Sequence, residues 1–215
     1  MSKANKKPTI LVSSSVYGIE ELLERIYTLL TAFGYEVCIS HKGTVPVSSN
    51  KTAFQNCLRA VEECDLFLGI ITPNYGSGKD GDGLSITHQE IRRAIELNKP
   101  RWLLAHERVV FARLLLNDLF DKQPDERKKL QLRKGAMSIT DLRVIDMYED
   151  AIRESLPLSE RDGNWVQKYS SDEDALLFAT AQFSRFQEVE KFINENLADP
   201  SSVRINVNQR RGKQK

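Results

Sequence analysis

The sequence predicts an α/β fold with a mainly parallel sheet, helices on both faces of the sheet and a mostly helical C-terminal extension. Short apolar runs alternate with helical segments in the order β-α-β-α-β-α-β over residues 9–105, which is the pattern of a parallel sheet. The third run, Leu66–Ile71, is apolar on both faces, as expected of a central strand that helices cover on both sides. Residues 106–197 are expected to pack on this unit as the extension.

Each element of the first unit has its own signal. Residues 9–12 form an apolar run that stops at three serines, and the leucines and isoleucines of residues 18–33 recur at helical spacing. Gly34 is placed to end that helix, because glycine readily adopts the left-handed conformation of a helix C-terminus. The remaining predicted elements are a strand at 35–40, a helix at 52–64, the central strand, a helix at 85–98 and a strand at 101–105.

The second half of the chain gives fewer signals. Residues 109–120 are apolar at helical spacing, and residues 142–147 are either a fifth strand or a short buried segment. Residues 172–196 are expected to form a long amphipathic helix. Ser171 is its predicted N-cap, and acidic residues in the first turn suit the positive end of the helix dipole.

The composition excludes several classes of function. Lys and Arg total 31 and Asp and Glu total 30, which gives a net charge of +1. A dedicated nucleic-acid binder carries a clear basic excess, so none is expected here. No stretch approaches the roughly 18 apolar residues of a membrane span. The two ends, residues 1–8 and the basic tail at 198–215, are expected to be disordered.

The cysteines and histidines indicate a reduced, metal-free protein of the cytoplasm. The three cysteines have no C-x-x-C spacing, which is typical of reduced thiols. The three histidines are widely spaced, so a structural zinc site is not expected. The N-terminus has lysines but does not lead into the apolar segment of a signal peptide.

Polar segments follow three of the predicted strands, at residues 13–17, 41–45 and 72–87. In an open parallel sheet, ligands bind outside the carboxyl ends of the strands. Because all three segments lie at such ends, the topology alone predicts a binding site there.

The third polar segment contains a glycine-rich motif, G-x-G-x-x-G, at residues 76–81. A dinucleotide fingerprint sits directly between the first strand and its helix, whereas this motif follows the third strand. The context therefore favours a mobile loop over residues 72–83, beside the site, rather than a Rossmann phosphate site.

Glu90 is the most informative ionisable residue, because it lies near the start of the helix that follows the glycine-rich loop. A carboxylate there can point into the crevice. Alternatively, Thr87 and Glu90 match a capping box, which needs no ligand. The residues alone leave these alternatives open. His88 gives a weaker signal, and Asp65 is expected to be structural because it begins its strand at the opposite edge.

Three segments in order carry a resemblance to a known family. The first strand is followed by Val-Ser-Ser at residues 12–14 and by an acidic helix. The central strand leads to Asn-Tyr-Gly at residues 74–76. The next helix carries Ser-x-Thr-x-x-Glu at residues 85–90 and ends before Lys-Pro at residues 99–100. Together these motifs resemble a bacterial TIR-like domain of unknown function, and the resemblance covers residues 9–105.

That family is similar in fold to TIR domains and to nucleoside 2-deoxyribosyltransferases, so the resemblance implies a flavodoxin-like or TIR-like sheet. In those relatives a glutamate of the corresponding helix acts at an N-glycosidic bond. Carried over by position, this residue is Glu90. The resemblance also implies four residues of the substrate pocket, which are Ser13, Ser14, Tyr75 and Ser85.

The activity implied is cleavage of an N-glycosidic bond in NAD, a nucleoside or a nucleotide, in bacterial stress or anti-phage signalling. Glu90 would stabilise or attack the cationic sugar, and its place near a helix N-terminus is expected to keep it ionised. Tyr75 is expected to stack on the base. NAD would be a substrate, with no cofactor required. The alternative is a non-catalytic module that binds a nucleotide or assembles with copies of itself.

Overall fold

Five parallel strands form the central sheet in the described part of the chain. The structure is a computed structural model that describes residues 7–76, 83–120, 129–185 and Glu188. The spatial order of the strands is β2-β1-β3-β4-β5, and every neighbouring pair is parallel. This arrangement confirms the predicted flavodoxin-like α/β sheet. The strands are β1 (Thr9–Ser14), β2 (Glu36–Ile39), β3 (Leu66–Ile71), β4 (Arg101–His106) and β5 (Val166–Tyr169).

Helices cover both faces of the sheet, as predicted. One face packs against α1 and α6, and the other packs against the remaining helices. Short 3-10 turns at Ser40–Lys42 and Leu158–Glu160 complete the described regular structure. The helices are α1 (Glu20–Ala32), α2 (Ala53–Glu63), α3 (Ile86–Glu96), α4 (Glu107–Phe120), α5 (Arg143–Ala151) and α6 (Asp172–Phe183).

The hydrophobic pattern explains the two layers. Alternate residues of β1 point to opposite faces, so Ile10 joins the core beneath α1 and Leu11 joins the core beneath the other helices. Every residue of β3 is buried, which confirms its prediction as the central strand. Gly69 makes room for the neighbouring strand, because a Cβ there would lie 2.7 Å from the Leu103 Cδ2 atom and would force a buried side chain to shift.

The segment after residue 105 differs from its expectation in one place and decides between two alternatives in another. It supplies a fifth strand, β5, which pairs with β4 from Leu103 opposite Val166 onward. Residues 142–147 are not a strand, because they enter α5, where Val144 and Ile145 are fully buried. The buried alternative for that segment is therefore the one observed.

Several predicted segments lie outside the described residues. They are the lead at residues 1–6, the part of the glycine-rich loop at residues 77–82, and the end of the long C-terminal helix together with the basic tail at residues 189–215. Within the described part of the C-terminal helix, α6 ends at Phe183 with Ser184 as its C-cap.

The strand order positions a crevice. The chain passes from β1 through α1 to β2 on one side, and then crosses to β3 on the other side of β1. The loops that leave β1 and β3 therefore diverge to opposite faces and open a gap at the carboxyl edge of the sheet. Such a reversal of strand order is where ligands bind in open parallel sheets.

Candidate functional site

A cavity of about 590 Å³ lies at the carboxyl ends of β1 and β3. Its size falls within the range of roughly 300–1,000 Å³ that is typical of small-molecule sites. All three predicted polar segments contribute to its wall. The cavity also receives residues from α1, α2 and α3, because these helices begin at this edge of the sheet. Polar or ionisable lining residues include Ser13, Ser14, Ser15, Tyr17, Glu20, Ser40, Cys57, Asn74, Ser85, Thr87, Glu90 and Thr140.

Glu90 reaches this cavity from the buried side of α3. Ser85 is the N-cap of the helix, and its side chain accepts a hydrogen bond from the His88 backbone N–H. A Thr87–Glu90 capping box is therefore not the cap of this helix. Glu90 instead shares a buried stripe with Ile91 and is only 7% exposed.

The Glu90 carboxyl is bonded to the opposite wall. The Ser13 Oγ atom, at the end of β1, donates a hydrogen bond of 2.5 Å to Glu90 Oε2. The Cys57 thiol of α2 also hydrogen-bonds to this carboxyl. Burial, with a smaller contribution from Glu90, raises the pKa of the Cys57 thiol to about 12, so the thiol stays protonated and acts as a donor. Three elements that are distant in sequence therefore meet at one carboxyl group.

The electrostatic setting of Glu90 differs from the expectation that it stays ionised. Burial raises the pKa of Glu90 from its ordinary value of 4.5 to about 7, although the hydrogen bonds from Ser13 and Cys57 lower it. The helix N-terminus does not dominate, because Glu90 lies beyond the first turn and is almost fully desolvated. A carboxyl group with this pKa exists in both protonation states near neutral pH.

Serine hydroxyls join the loops on the two sides of the crevice. Ser14 Oγ donates to the Ile70 carbonyl oxygen at 3.0 Å. Ser15 Oγ lies 2.6 Å from Thr72 Oγ1 and donates to the Asn74 carbonyl oxygen at 2.8 Å. Each serine hydroxyl has two acceptor lone pairs, so Ser14 can still accept a hydrogen bond from a ligand while it holds the loops together.

Tyr75 is the predicted pocket residue that the structure does not bring to the cavity. It is 1% exposed, and its hydroxyl lies 2.8 Å from His88 Nδ1. The Arg143 guanidinium lies 5.0 Å from the centre of its ring. Its ring therefore packs in the core and cannot stack on a bound base.

A polar chain extends from Tyr75 through α3 to α5. His88 Nε2 lies 2.8 Å from Asp150 Oδ2, and Arg92 Nε donates to the same oxygen at 2.5 Å. Burial acts to raise the pKa of Asp150, but the hydrogen bonds from His88 and Arg92 outweigh it and lower that pKa. This chain fixes the loop after β3 against α3, on the side away from the cavity.

Tyr17 is a cavity residue that sequence reasoning missed. Its side chain is 81% exposed at the mouth of the cavity, and its backbone carbonyl accepts a hydrogen bond of 2.9 Å from Asn74 Nδ2. An aromatic residue just after the serines that end β1 was the available signal. An exposed ring at a cavity mouth offers an apolar stacking surface.

The charged side chains that line the cavity are all acidic in the described wall. Glu90 and, at the start of α1, Glu20 are the ionisable carboxyl groups of the wall. Among the lining residues that the structure describes, none is Lys, Arg or His. The described wall therefore favours an uncharged or cationic ligand over a phosphate dianion.

The described residues contain neither a cluster of metal ligands nor a membrane-spanning helix. No group of three or more His, Cys, Asp or Glu side chains there is arranged to hold a metal ion. No described helix has the length and apolar character needed to cross a membrane.

A family model described as a domain of unknown function, DUF4062, matches residues 9–197. The chain belongs to the DUF4062 family. The matched span begins at β1 and runs past α6, so the DUF4062 domain includes β5 and the helices after residue 105. No curated protein matches the chain.

Proposed function

We propose that this DUF4062 protein cleaves the N-glycosidic bond of NAD or of a nucleoside, with Glu90 facing the sugar. The observation that carries the proposal is a buried carboxyl group with a pKa of about 7 in the wall of a cavity at the strand-order reversal. Groups with strongly shifted pKa values in clefts are candidates for catalysis. The resemblance of residues 12–14 and 85–90 to TIR-like domains adds support, and it implies a setting in bacterial stress or anti-phage signalling.

The proposed reaction breaks the bond between the anomeric carbon and the base nitrogen. The bonding electron pair leaves with the base, and positive charge develops on the sugar. The ionised Glu90 carboxylate stabilises this charge or forms a covalent bond to the anomeric carbon. Water then supplies a hydroxyl group to that carbon and releases a proton. A second nucleobase can take the place of water.

The lining suggests which base leaves most readily. An uncharged nucleoside needs a proton on its departing base, and the described wall offers no histidine to supply it. A pyridinium base, as in NAD, departs as a neutral molecule and needs no proton. A cationic substrate also lowers the pKa of a nearby carboxyl group, which favours the ionised form of Glu90. We therefore expect nicotinamide riboside, which has no phosphate, to react faster than NAD.

The proposal is tested by measuring base release from NAD, nicotinamide riboside, inosine and 2′-deoxyinosine by chromatography. Wild-type protein should release base from at least one of them, and Glu90→Gln should lower the rate at least about 100-fold. Glu96→Gln is the matched control, because Glu96 lies on the same helix, is exposed and pairs with Arg93. Full turnover by Glu90→Gln contradicts the proposed role.

One observation favours the second candidate, a module that binds its ligand without turnover. The Glu90 carboxyl already accepts hydrogen bonds from Ser13 and Cys57 and is 7% exposed, as a structural group would be. In that case calorimetry should detect binding of one of the four compounds, while base release stays at the uncatalysed rate.

A further inference from the structure

Helix α4 exposes an apolar stripe to solvent. Phe111 is 65% exposed, Leu115 is 45% exposed and Leu119 is 63% exposed. The opposite side of α4 packs in the core through Val109. A surface helix of a globular protein normally has one apolar stripe, facing the core. Among the residues that the structure describes, none buries this second stripe.

The exposed residues of α4 are spaced like the seam of a coiled coil. Arg108, Phe111, Leu115 and Asp118 are all exposed and lie three, four and three residues apart, which is the a-d-a-d spacing of a heptad. Leu114, at 52% exposure, lies beside this seam. The seam therefore has an apolar centre, Phe111 and Leu115, and a charged residue at each end.

This seam is complementary to itself when two copies run antiparallel. A two-fold axis beside residue 113 places Phe111 opposite Leu115 of the second copy. The same axis places Arg108 opposite Asp118 of the second copy, so both ends of the interface pair opposite charges. A parallel arrangement in register would instead place each charge opposite its own kind, which is unfavourable.

We propose that α4 forms an antiparallel helix pair with α4 of a second copy of this chain, giving a two-fold symmetric dimer. No residue of α4, all of which is described, lines the cavity at β1 and β3, so the dimer leaves that cavity open. This proposal does not depend on the proposed function.

The dimer is expected to be weak. The helix has 14 residues and is about 21 Å long at roughly 1.5 Å per residue. A single helix pair of this length buries less than the roughly 1,200 Å² at the low end of stable interfaces. Association should therefore depend on protein concentration.

The test is sedimentation velocity of the full chain over a wide range of concentrations. Wild-type protein should shift from monomer to dimer as concentration rises, and Leu115→Asp should remain monomeric. Leu177→Asp is the matched control, because Leu177 is 70% exposed on α6, on the opposite layer, and it should dimerise like wild type. Circular dichroism melting checks that each variant is folded.

Charge reversal tests the antiparallel arrangement itself. Arg108→Asp places like charges at both ends of the interface, and so does Asp118→Arg, so each should weaken the dimer at least about tenfold. The double variant restores opposite charges and should recover wild-type association. A wild-type chain that stays monomeric, a dimer insensitive to Leu115→Asp, or a double variant as weak as the single ones overturns the proposal.

Discussion

Two carboxyl groups on either side of α3 have pKa values shifted in opposite directions, because their hydrogen-bond partners differ. Glu90 faces the cavity, and its neighbours are a hydroxyl and a thiol, so burial raises its pKa to about 7. Asp150 approaches α3 from α5, and its neighbours are His88 and Arg92, so its pKa is lowered in spite of burial. Positively charged or strongly donating partners stabilise a carboxylate as a structural link, whereas weak donors leave Glu90 able to change its protonation state.

The largest expected difference between the two groups is in turnover. Glu90→Gln removes the charge that stabilises the cationic sugar and should lower base release about 100- to 1,000-fold. Asp150→Asn acts only on the packing behind α3 and should change base release no more than about tenfold, consistent with a small shift in geometry. Initial rates for both variants, measured on the fastest substrate, check the comparison. Equal losses in the two variants would show that Asp150 also acts in the site.

The second difference is in the pH dependence of stability. The folded-state pKa of Glu90 lies above its ordinary value of 4.5, at about 7, so the folded protein binds the extra proton and wild-type stability falls as pH rises between these values. Above pH 7 the full cost is present, and its upper limit is about 3 kcal/mol for this shift. Glu90→Gln carries no such charge, so its melting temperature should exceed that of wild type by several degrees at pH 8.

The same comparison at low pH provides the control. Near pH 5 the wild-type Glu90 carboxyl is mostly protonated in the folded chain, so the melting temperatures of wild type and Glu90→Gln should converge. A constant difference between them across this pH range would contradict a raised pKa of Glu90.

The third expected effect concerns Asp150 and has the opposite sign. Its lowered pKa means that the ionised group stabilises the fold at neutral pH, and that this contribution is lost as pH falls through the acidic range. Asp150→Asn should destabilise the protein by about 1–2 kcal/mol at pH 7, because hydrogen bonds to charged groups are lost at a partly exposed site. Urea denaturation measures this value. Arg25→Gln is the control, because its ion pair with Glu173 is exposed and should contribute little.

The smallest expected effect is at the mouth of the cavity. Tyr17→Ala removes the exposed ring and should raise KM about threefold to tenfold, since aromatic contacts contribute roughly 0.5–1.5 kcal/mol. The value of kcat should stay close to that of wild type, because stacking stabilises the bound substrate and the transition state alike. Tyr17→Phe retains the ring and should restore KM. A loss confined to kcat would assign Tyr17 to the chemical step.

The sequence predicted those strands whose burial is visible in their own residues. β3 is apolar throughout and every one of its residues is buried, so its central place followed from composition. β5 was missed because its four residues, Val166–Tyr169, include Gln167 and Lys168 and carry no apolar run. The pairing of β5 with β4 is a long-range contact, and local pattern contains no information about it.

The sequence also predicted some residues of the candidate site correctly and not others. Sequence placed Ser13, Ser14, Ser85 and Glu90 at the carboxyl edge of the sheet, and the structure brings all four to one cavity. It also suggested Tyr75, whose ring instead turns into the core toward His88. Whether a loop side chain faces a ligand or the core depends on the helices packed behind the loop, and these come from distant parts of the chain.

The sequence by itself determined the parallel α/β order, the central strand and the edge of the sheet where polar residues gather, because periodicity and apolar runs are local properties. Only the tertiary structure decided the state of the Glu90 carboxyl. Its pKa depends on desolvation beneath α3 and on donors from β1 and α2. Both donors, Ser13 and Cys57, are far from Glu90 in sequence. The same holds for α4: its periodicity predicts a helix, but which of its apolar sides remains in solvent is set by how the helix packs on the sheet.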